Sequence, residues 1–311
     1  MKLALLICDT PVPAVLSSRG TYLEIFKDLL TSSLASFSSQ SDPSTTNPST
    51  TNPEPQTAQQ KVETETHWTL DGFDVVHKQE YPDLDYDSGD GDSDGEEGYT
   101  GILISGSAAS AYEDIPWINK LVSFVLDTAQ RKPHIKLIGI CFGHQIIARA
   151  FGGTCVPNSG LWEVGVTDID LTPVGKAVFQ TDKPTISVQQ MHRDHVPTPP
   201  PSFHTIGSTP TAPVQGLILP YASPYASQSP PFSAPALSLS LLTSPQHIHI
   251  LTIQGHPEFS SQIVNAIIDV RSAIGVMAPD VAEEGRRRAV LRHDGDGVIG
   301  RAIWRVLGVG G

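Results

Sequence analysis

Apolar and polar positions along this chain repeat with two alternating periods. Lys2–Cys8 is a nearly unbroken apolar run and predicts a first strand. Arg19–Leu30 instead carries Leu23, Phe26, Leu29 and Leu30 at helical spacing, which predicts an amphipathic helix with those four residues inward. The same reading gives a short strand at Asp74–His77 and a fully apolar strand at Gly101–Ser105. A helix at Ile118–Gln130 and a strand at Ile135–Ile140 follow, then a helix at Gly143–Phe151 stopped by Gly152-Gly153. Two β-branched segments, Glu163–Ile169 and Thr185–Val188, precede a strand at His247–Ile253 and a helix at Ser260–Ile274. Strands and helices that alternate in this way predict an α/β fold, an open and mostly parallel sheet flanked by helices on both faces. In such sheets, sites form beyond the carboxyl ends of the strands.

Three segments interrupt the pattern. Residues 35–66 contain a near-repeat of Pro-Ser-Thr-Thr, 83–98 alternate acid with Gly and Ser, and 220–246 are rich in Pro, Ser and Ala. Such tracts bury too little apolar surface to offset the entropy of ordering, so they are expected to be disordered or loop inserts. The Asp-x-Asp spacing within 83–98 resembles a calcium loop but lacks the closing glutamate, so a solvated linker is the expectation and no metal site is assigned. Without the inserts, residues 1–311 are expected to form a single domain.

Charge and cysteines narrow the function. Twenty Lys plus Arg against thirty-three Asp plus Glu give a formal charge of −13, with no basic stripe for phosphates, so nucleic acid is not expected as a partner. Three cysteines in 311 residues make no disulfide framework and fit a reducing compartment. No stretch approaches the ~20 apolar residues of a membrane helix, and Asp9 ends the N-terminal apolar run early. A cytoplasmic protein without membrane attachment is expected.

The chemistry concentrates in Gly139-Ile-Cys141-Phe-Gly143-His-Gln145, where a strand gives way to a helix. A cysteine between two glycines at such a turn has the layout of a nucleophile elbow, and thiolate is favoured at a helix N-terminus. A buried structural cysteine is the plain alternative. His256 follows the apolar strand that ends at Ile253, and Pro257 biases it to an extended conformation. Residues two apart in an extended segment face the same way, so Glu258 can orient the imidazole. Ser105-Gly106-Ser107 forms another strand-end turn, whose N–H groups, with that of Phe142, are candidates to stabilise an oxyanion.

Gly139–Gln145 followed by Gly255-His256-Pro-Glu258-Phe resembles the class I, triad-type glutamine amidotransferases, over nearly all of the chain outside the inserts. The resemblance implies flavodoxin-like layering, Cys141 as nucleophile, His256 as general base and acid, and Glu258 as orienter. It also implies oxyanion-hole N–H groups from Gly106 and Phe142, and a γ-glutamyl pocket shaped by Gln145. Met191-His192 would lie in the substrate-flanking segment Met191–Val196. No cofactor is implied.

Many such enzymes carry Gly-Gly-Pro at the oxyanion turn, where this chain has Ser105-Gly106-Ser107-Ala108-Ala109. With Tyr112–Ile118 and Trp162-Glu163-Val-Gly165, this looks like a stand-alone branch similar to γ-glutamyl peptidases and to the glutaminase domain of GMP synthase. The expected activity is cleavage of a γ-glutamyl amide, in glutamine or a glutathione-type peptide, through a thioester. Two alternatives stay open: a glutaminase that passes ammonia to a separate acceptor enzyme, and a catalytically silent regulatory protein on the same fold. Arg286-Arg287-Arg288 is expected to be the solvated face of a C-terminal helix.

Overall fold

A computed structural model describes residues 1–38, 67–85, 98–221, 239 and 243–310. Most of the three expected inserts lies outside the described residues. Their described edges depart from expectation: the segment from residue 35 begins inside a helix, and the segment 220–246 begins on the last residue of a strand, Pro220, and ends in a 3-10 turn at Pro245–His247.

The central sheet has seven strands. In chain order β1 is Lys2–Ile7, β2 Thr69–Asp74, β3 Tyr99–Ile104, β4 Lys136–Ile140 and β5 Val156–Pro157. Then come β6 Glu163–Leu171, β7 Thr185–His192, β8 Asp194–His195, β9 His204–Thr205, β10 Gly207–Ser208, β11 Gly216–Pro220 and β12 Ile248–Ile253. The central order is β2-β1-β3-β4-β12-β11-β9, in which β2 through β12 run parallel and β11 and β9 add an antiparallel edge. The expected open, mostly parallel sheet is therefore present.

Both faces of this sheet are covered, which is why its strands read as continuous apolar runs. Leu3 and Leu5 of β1, Leu103 of β3 and Ile138 of β4 point into one core, while Ala4, Leu6, Ile102, Ile104 and Leu137 point into the other. The first core is closed by α1 (Pro13–Arg19), α2 (Tyr22–Ser38) and the C-terminal helix Gly300–Val306, where the Trp304 indole N–H donates to Leu30 O at 2.8 Å. The second is closed by α3 (Pro116–Arg131) and α4 (Phe142–Ala150).

Two element predictions need correction. The strand expected at Asp74–His77 is Thr69–Asp74 instead, and the chain turns at Val75. Asp74 ends it, because its carboxylate accepts the N–H groups of Val76 and His77 at 3.0 and 2.8 Å. The first long helix runs to Ser38, well past Leu30. Its serines return their hydroxyls to earlier carbonyls, as Ser33 does to Leu29 O at 2.6 Å, so a polar segment continues the helix.

A second, antiparallel sheet of β10-β6-β7 stands beside the carboxyl ends of the main strands, and β5 pairs with β8. The helix Pro279–Ala289 lies against β6 and carries the three arginines. Arg286 and Arg287 are exposed and pair with Asp269 and Glu284. Arg288 is not a solvated face residue: its guanidinium donates to Val166 O at 2.8 Å and to the Thr167 hydroxyl.

Candidate active site

Cys141 sits one residue beyond β4 with φ 52° and ψ −102°, a conformation non-glycine residues rarely adopt. Its N–H donates to Ile253 O of β12 at 2.8 Å, so the main sheet fixes where the sulfur points. The two flanking glycines are required by close approach. A Cβ on Gly143 would lie 2.4 Å from Ile104 O, and one on Gly139 would lie 2.7 Å from the Gly143 carbonyl. The elbow is thus packed between β3, β4 and the first turn of α4.

Strand β12 delivers the histidine to the same edge. His256 N–H donates to Gln189 O of β7 at 2.7 Å, tying the second sheet to the first at this residue. Its Nδ1 lies 2.7 Å from Glu258 Oε1, and both side chains are buried. The ring stacks on Phe259 with centroids 3.9 Å apart and planes 7° from parallel. With Nδ1 turned to Glu258, Nε2 is the nitrogen free to exchange a proton. Burial opposes a charged imidazole, but the adjoining Cys141 sulfur and the Glu258 carboxylate outweigh it, so the pKa of His256 is raised well above its ordinary value.

The third strand-end turn closes on this pair. A Cβ on Gly106 would meet His256 Cε1 at 2.7 Å and Cys141 Cβ at 3.6 Å. The turn is pinned by side chains: Ser105 Oγ accepts from Cys8 N–H at 2.9 Å and donates to Gly106 O at 3.1 Å. Asp9 accepts the Ala108 N–H at 2.6 Å. Phe142 opens α4, so its N–H has no acceptor within the helix. Among the described residues, neither it nor the Gly106 N–H meets a protein acceptor.

The expected substrate residues converge as well. Gln145, Met191 and His192 line one small chamber of about 50 Å3 with Cys141. Gln145 Nε2 is committed to Asp194 O at 3.0 Å and Gln254 Oε1 at 3.1 Å. His192 Nε2 lies 2.9 Å from Glu163, an ion-pair distance, although the ring N–H is not aligned for a hydrogen bond. Glu163 also accepts from Thr209 Oγ1 and Gln215 Nε2, each at 2.6 Å. Burial would raise the Glu163 pKa, but His192 and these donors more than offset it and hold it below the usual range.

Gln254 is a site residue that sequence reasoning missed. It is fully buried, and its Nε2 donates to Cys141 Sγ at 3.6 Å. The available signal was its position, the first residue past β12 and two before His256. His144, within the heptapeptide, is a core residue: Thr252 Oγ1 lies 2.7 Å from its Nδ1 and accepts the Leu217 N–H, and burial pushes its pKa down to about 3. Among the described residues no group of His, Cys, Asp and Glu has metal-holding geometry, and no helix is long and apolar enough to cross a membrane.

An arrangement of this kind can transfer an acyl group: a nucleophile at an elbow, a base held by a carboxylate, and N–H groups nearby without a protein acceptor. Known proteins resemble this chain at several levels. The model of the glutamine amidotransferase class I family matches residues 74–228. A glutamine amidotransferase-like protein of Schizosaccharomyces pombe is 30% identical over 295 residues, 94% of each chain. γ-Glutamyl peptidase 2 of Arabidopsis thaliana is 30% identical over 197 residues, 61% of this chain and 66% of that one. A crystal structure of a glutamine amidotransferase from Thermotoga maritima shares the fold with a TM-score of 0.57 at 13% identity, covering 99% of this chain and 98% of that one. This chain belongs to the class I glutamine amidotransferase family.

Proposed function

We propose that this protein is a free-standing cysteine hydrolase of γ-glutamyl amide bonds. Cys141 thiolate attacks the side-chain carbonyl, and the N–H groups of Gly106 and Phe142 hold the oxyanion. As the C–N bond breaks, His256 gives its proton to the leaving amine, leaving a γ-glutamyl thioester on Cys141. Water, deprotonated by His256, then hydrolyses the thioester to release glutamate and regenerate the thiolate. Glu258 holds the imidazole in the tautomer that keeps Nε2 toward the reacting atoms. Gln254, donating to Sγ, keeps the sulfur in line. No cofactor enters these steps.

The observation that carries the proposal is the meeting of Cys141, Gly106 and a His256–Glu258 pair at one sheet edge. The free-standing character is supported by the Ser105-Gly106-Ser107 turn, whose side-chain hydrogen bonds hold it without a partner. The similarity to γ-glutamyl peptidase 2 points the same way. The test is product release from glutamine and from γ-glutamyl peptides, with wild type against Cys141→Ala. We expect release from at least one substrate and a loss of roughly four orders of magnitude or more in the variant. Equal inactivity on every substrate would refute the proposal. Activity appearing only with added cell extract would favour a glutaminase that feeds a separate synthase. That reading has its own support in a similarity to the glutamine-hydrolysing chain of a GMP synthase from Sulfurisphaera tokodaii, 29% identical over 39% of this chain and 60% of that one.

A further inference from the structure

Beyond His256 lies a second chamber of about 230 Å3, several times the ~30 Å3 that a molecule the size of water or ammonia occupies. It reaches His256 and Gly106 but not Cys141, whereas the acyl chamber reaches Cys141 and not His256. The protonating side and the acyl side of the site are therefore adjoining spaces, which meet along Ser107, Ala108, Met191 and Arg271. Since His256 donates to the leaving amine, whatever that amine carries extends into the larger one. Val12, Val15, Tyr22, Phe259, Ile263 and Ile267 make its walls largely apolar.

Among the described residues, one cation besides His256 faces this space. Arg271, in the last turn of the helix Ser261–Ala273, lines both chambers and is partly buried. Among those residues its guanidinium has no hydrogen-bond or ion-pair partner, which sets it apart from Arg149, Arg286, Arg287 and Arg288. The carboxylate on the same wall, Asp9, is already used by the N–H groups of Thr10 and Ala108 at 2.7 and 2.6 Å. A partly desolvated guanidinium without an anion beside a preformed apolar chamber calls for a ligand carboxylate. The acyl chamber has a cation of its own, Arg193, whose guanidinium lies 5.7 Å from the Trp162 ring. Arg271 is thus available for the leaving side.

Resting on the hydrolase reading above, we infer that Arg271 is a specificity residue that binds a carboxylate on the leaving amine. The preferred substrate class is then a γ-glutamyl peptide with a free carboxylate, ahead of glutamine. The bonds made and broken are those already described; Arg271 takes part in none of them.

Two matched pairs test this: γ-glutamylglycine against γ-glutamylglycinamide, and γ-glutamyl-leucyl-glycine against its C-terminal amide. Within a pair only the leaving-side charge changes. In wild type, kcat/KM for the acid should exceed that for the amide by about tenfold or more in at least one pair. Arg271→Met should bring that ratio close to one, and Arg271→Lys should restore part of it. Cys141-dependent hydrolysis with a wild-type ratio near one in both pairs overturns the inference and leaves the hydrolase reading standing. A preference that persists in Arg271→Met overturns the role of Arg271. Equal losses on acid and amide in Arg271→Met would assign the residue to the γ-glutamyl group instead. Absence of any Cys141-dependent release defeats the hydrolase reading, and this inference with it.

Discussion

The two sheets build the same site by different means. The parallel sheet places Cys141 and His256 through its backbone: β4 and β12 are neighbours, their ends are bonded at Cys141 N–H to Ile253 O, and a strained elbow aims the sulfur. The antiparallel sheet β10-β6-β7 places the residues proposed to face substrate through side chains, by the buried set Glu163, His192, Thr209 and Gln215. The first region is held by many apolar contacts and a regular ladder, so small changes in volume are felt as stability. The second has a ladder and an apolar face of its own, but the Glu163–His192 side of it is held by a few charged contacts, so removing one charge there is expected to be felt as substrate affinity.

Chemistry gives the largest separation between the regions. Glu258→Gln, at the end of the parallel sheet, should lower kcat/KM by about a hundredfold, since general acid–base catalysis contributes on the order of 10²–10⁴. It should also change the pH profile in a defined direction. The raised pKa of His256 keeps the imidazolium present until pH climbs through that pKa, and Glu258 is one of the groups raising it. Removing the carboxylate lowers the pKa, so the alkaline fall in activity should move to lower pH. An unmoved limb in a kcat/KM profile would break the assignment of Glu258 as the partner of His256.

Next in size is packing at the elbow. Gly143→Ala sets a Cβ against Ile104 O at 2.4 Å, where neither backbone can give easily. It should cost ~1–3 kcal/mol of stability, measurable by urea denaturation, together with activity. The smallest effect is expected in the second sheet. Glu163→Gln keeps the shape but removes the charge facing His192, and should raise KM by about tenfold while kcat changes little. If kcat falls and KM holds, the second sheet acts on the chemistry and the division between the regions fails.

The same contrast explains what was legible in the sequence. Most of the main strands were legible because burial on both faces leaves few polar positions in them, and the Cys141 elbow because two glycines mark where backbones approach. His256 and Glu258 were legible because they follow directly on an apolar strand. The extended conformation expected of them is not what joins them, since the chain turns at Pro257-Glu258 with the Phe259 N–H donating to His256 O at 3.3 Å. The second sheet was seen only as two β-branched segments, since its geometry depends on partners distant in sequence, such as Glu163 with Thr209 and Gln215. Its extent and pairing carry no local signature. The strand Thr69–Asp74 was missed because the apolar Val75-Val76 pair drew the prediction past Asp74, whose carboxylate in fact turns the chain. Gln254 and Arg271 were missed for opposite reasons: one sits within a motif whose histidine drew the attention, and the other lies on a helix that no motif marks. Arg288 was placed on a solvated face, and its bonds to β6 depend on helix docking that no local pattern encodes.

The central claim is that Cys141 carries the γ-glutamyl group. Its most direct test is intact-mass spectrometry of acid-quenched protein during turnover of a γ-glutamyl substrate, followed by peptide mapping. The account predicts a mass gain of one γ-glutamyl residue on the peptide containing Cys141, with Cys8 and Cys155 unmodified. A protein that turns over substrate while Cys141 stays unmodified under conditions where thioester hydrolysis is slow, or that carries the adduct on another residue, would contradict it.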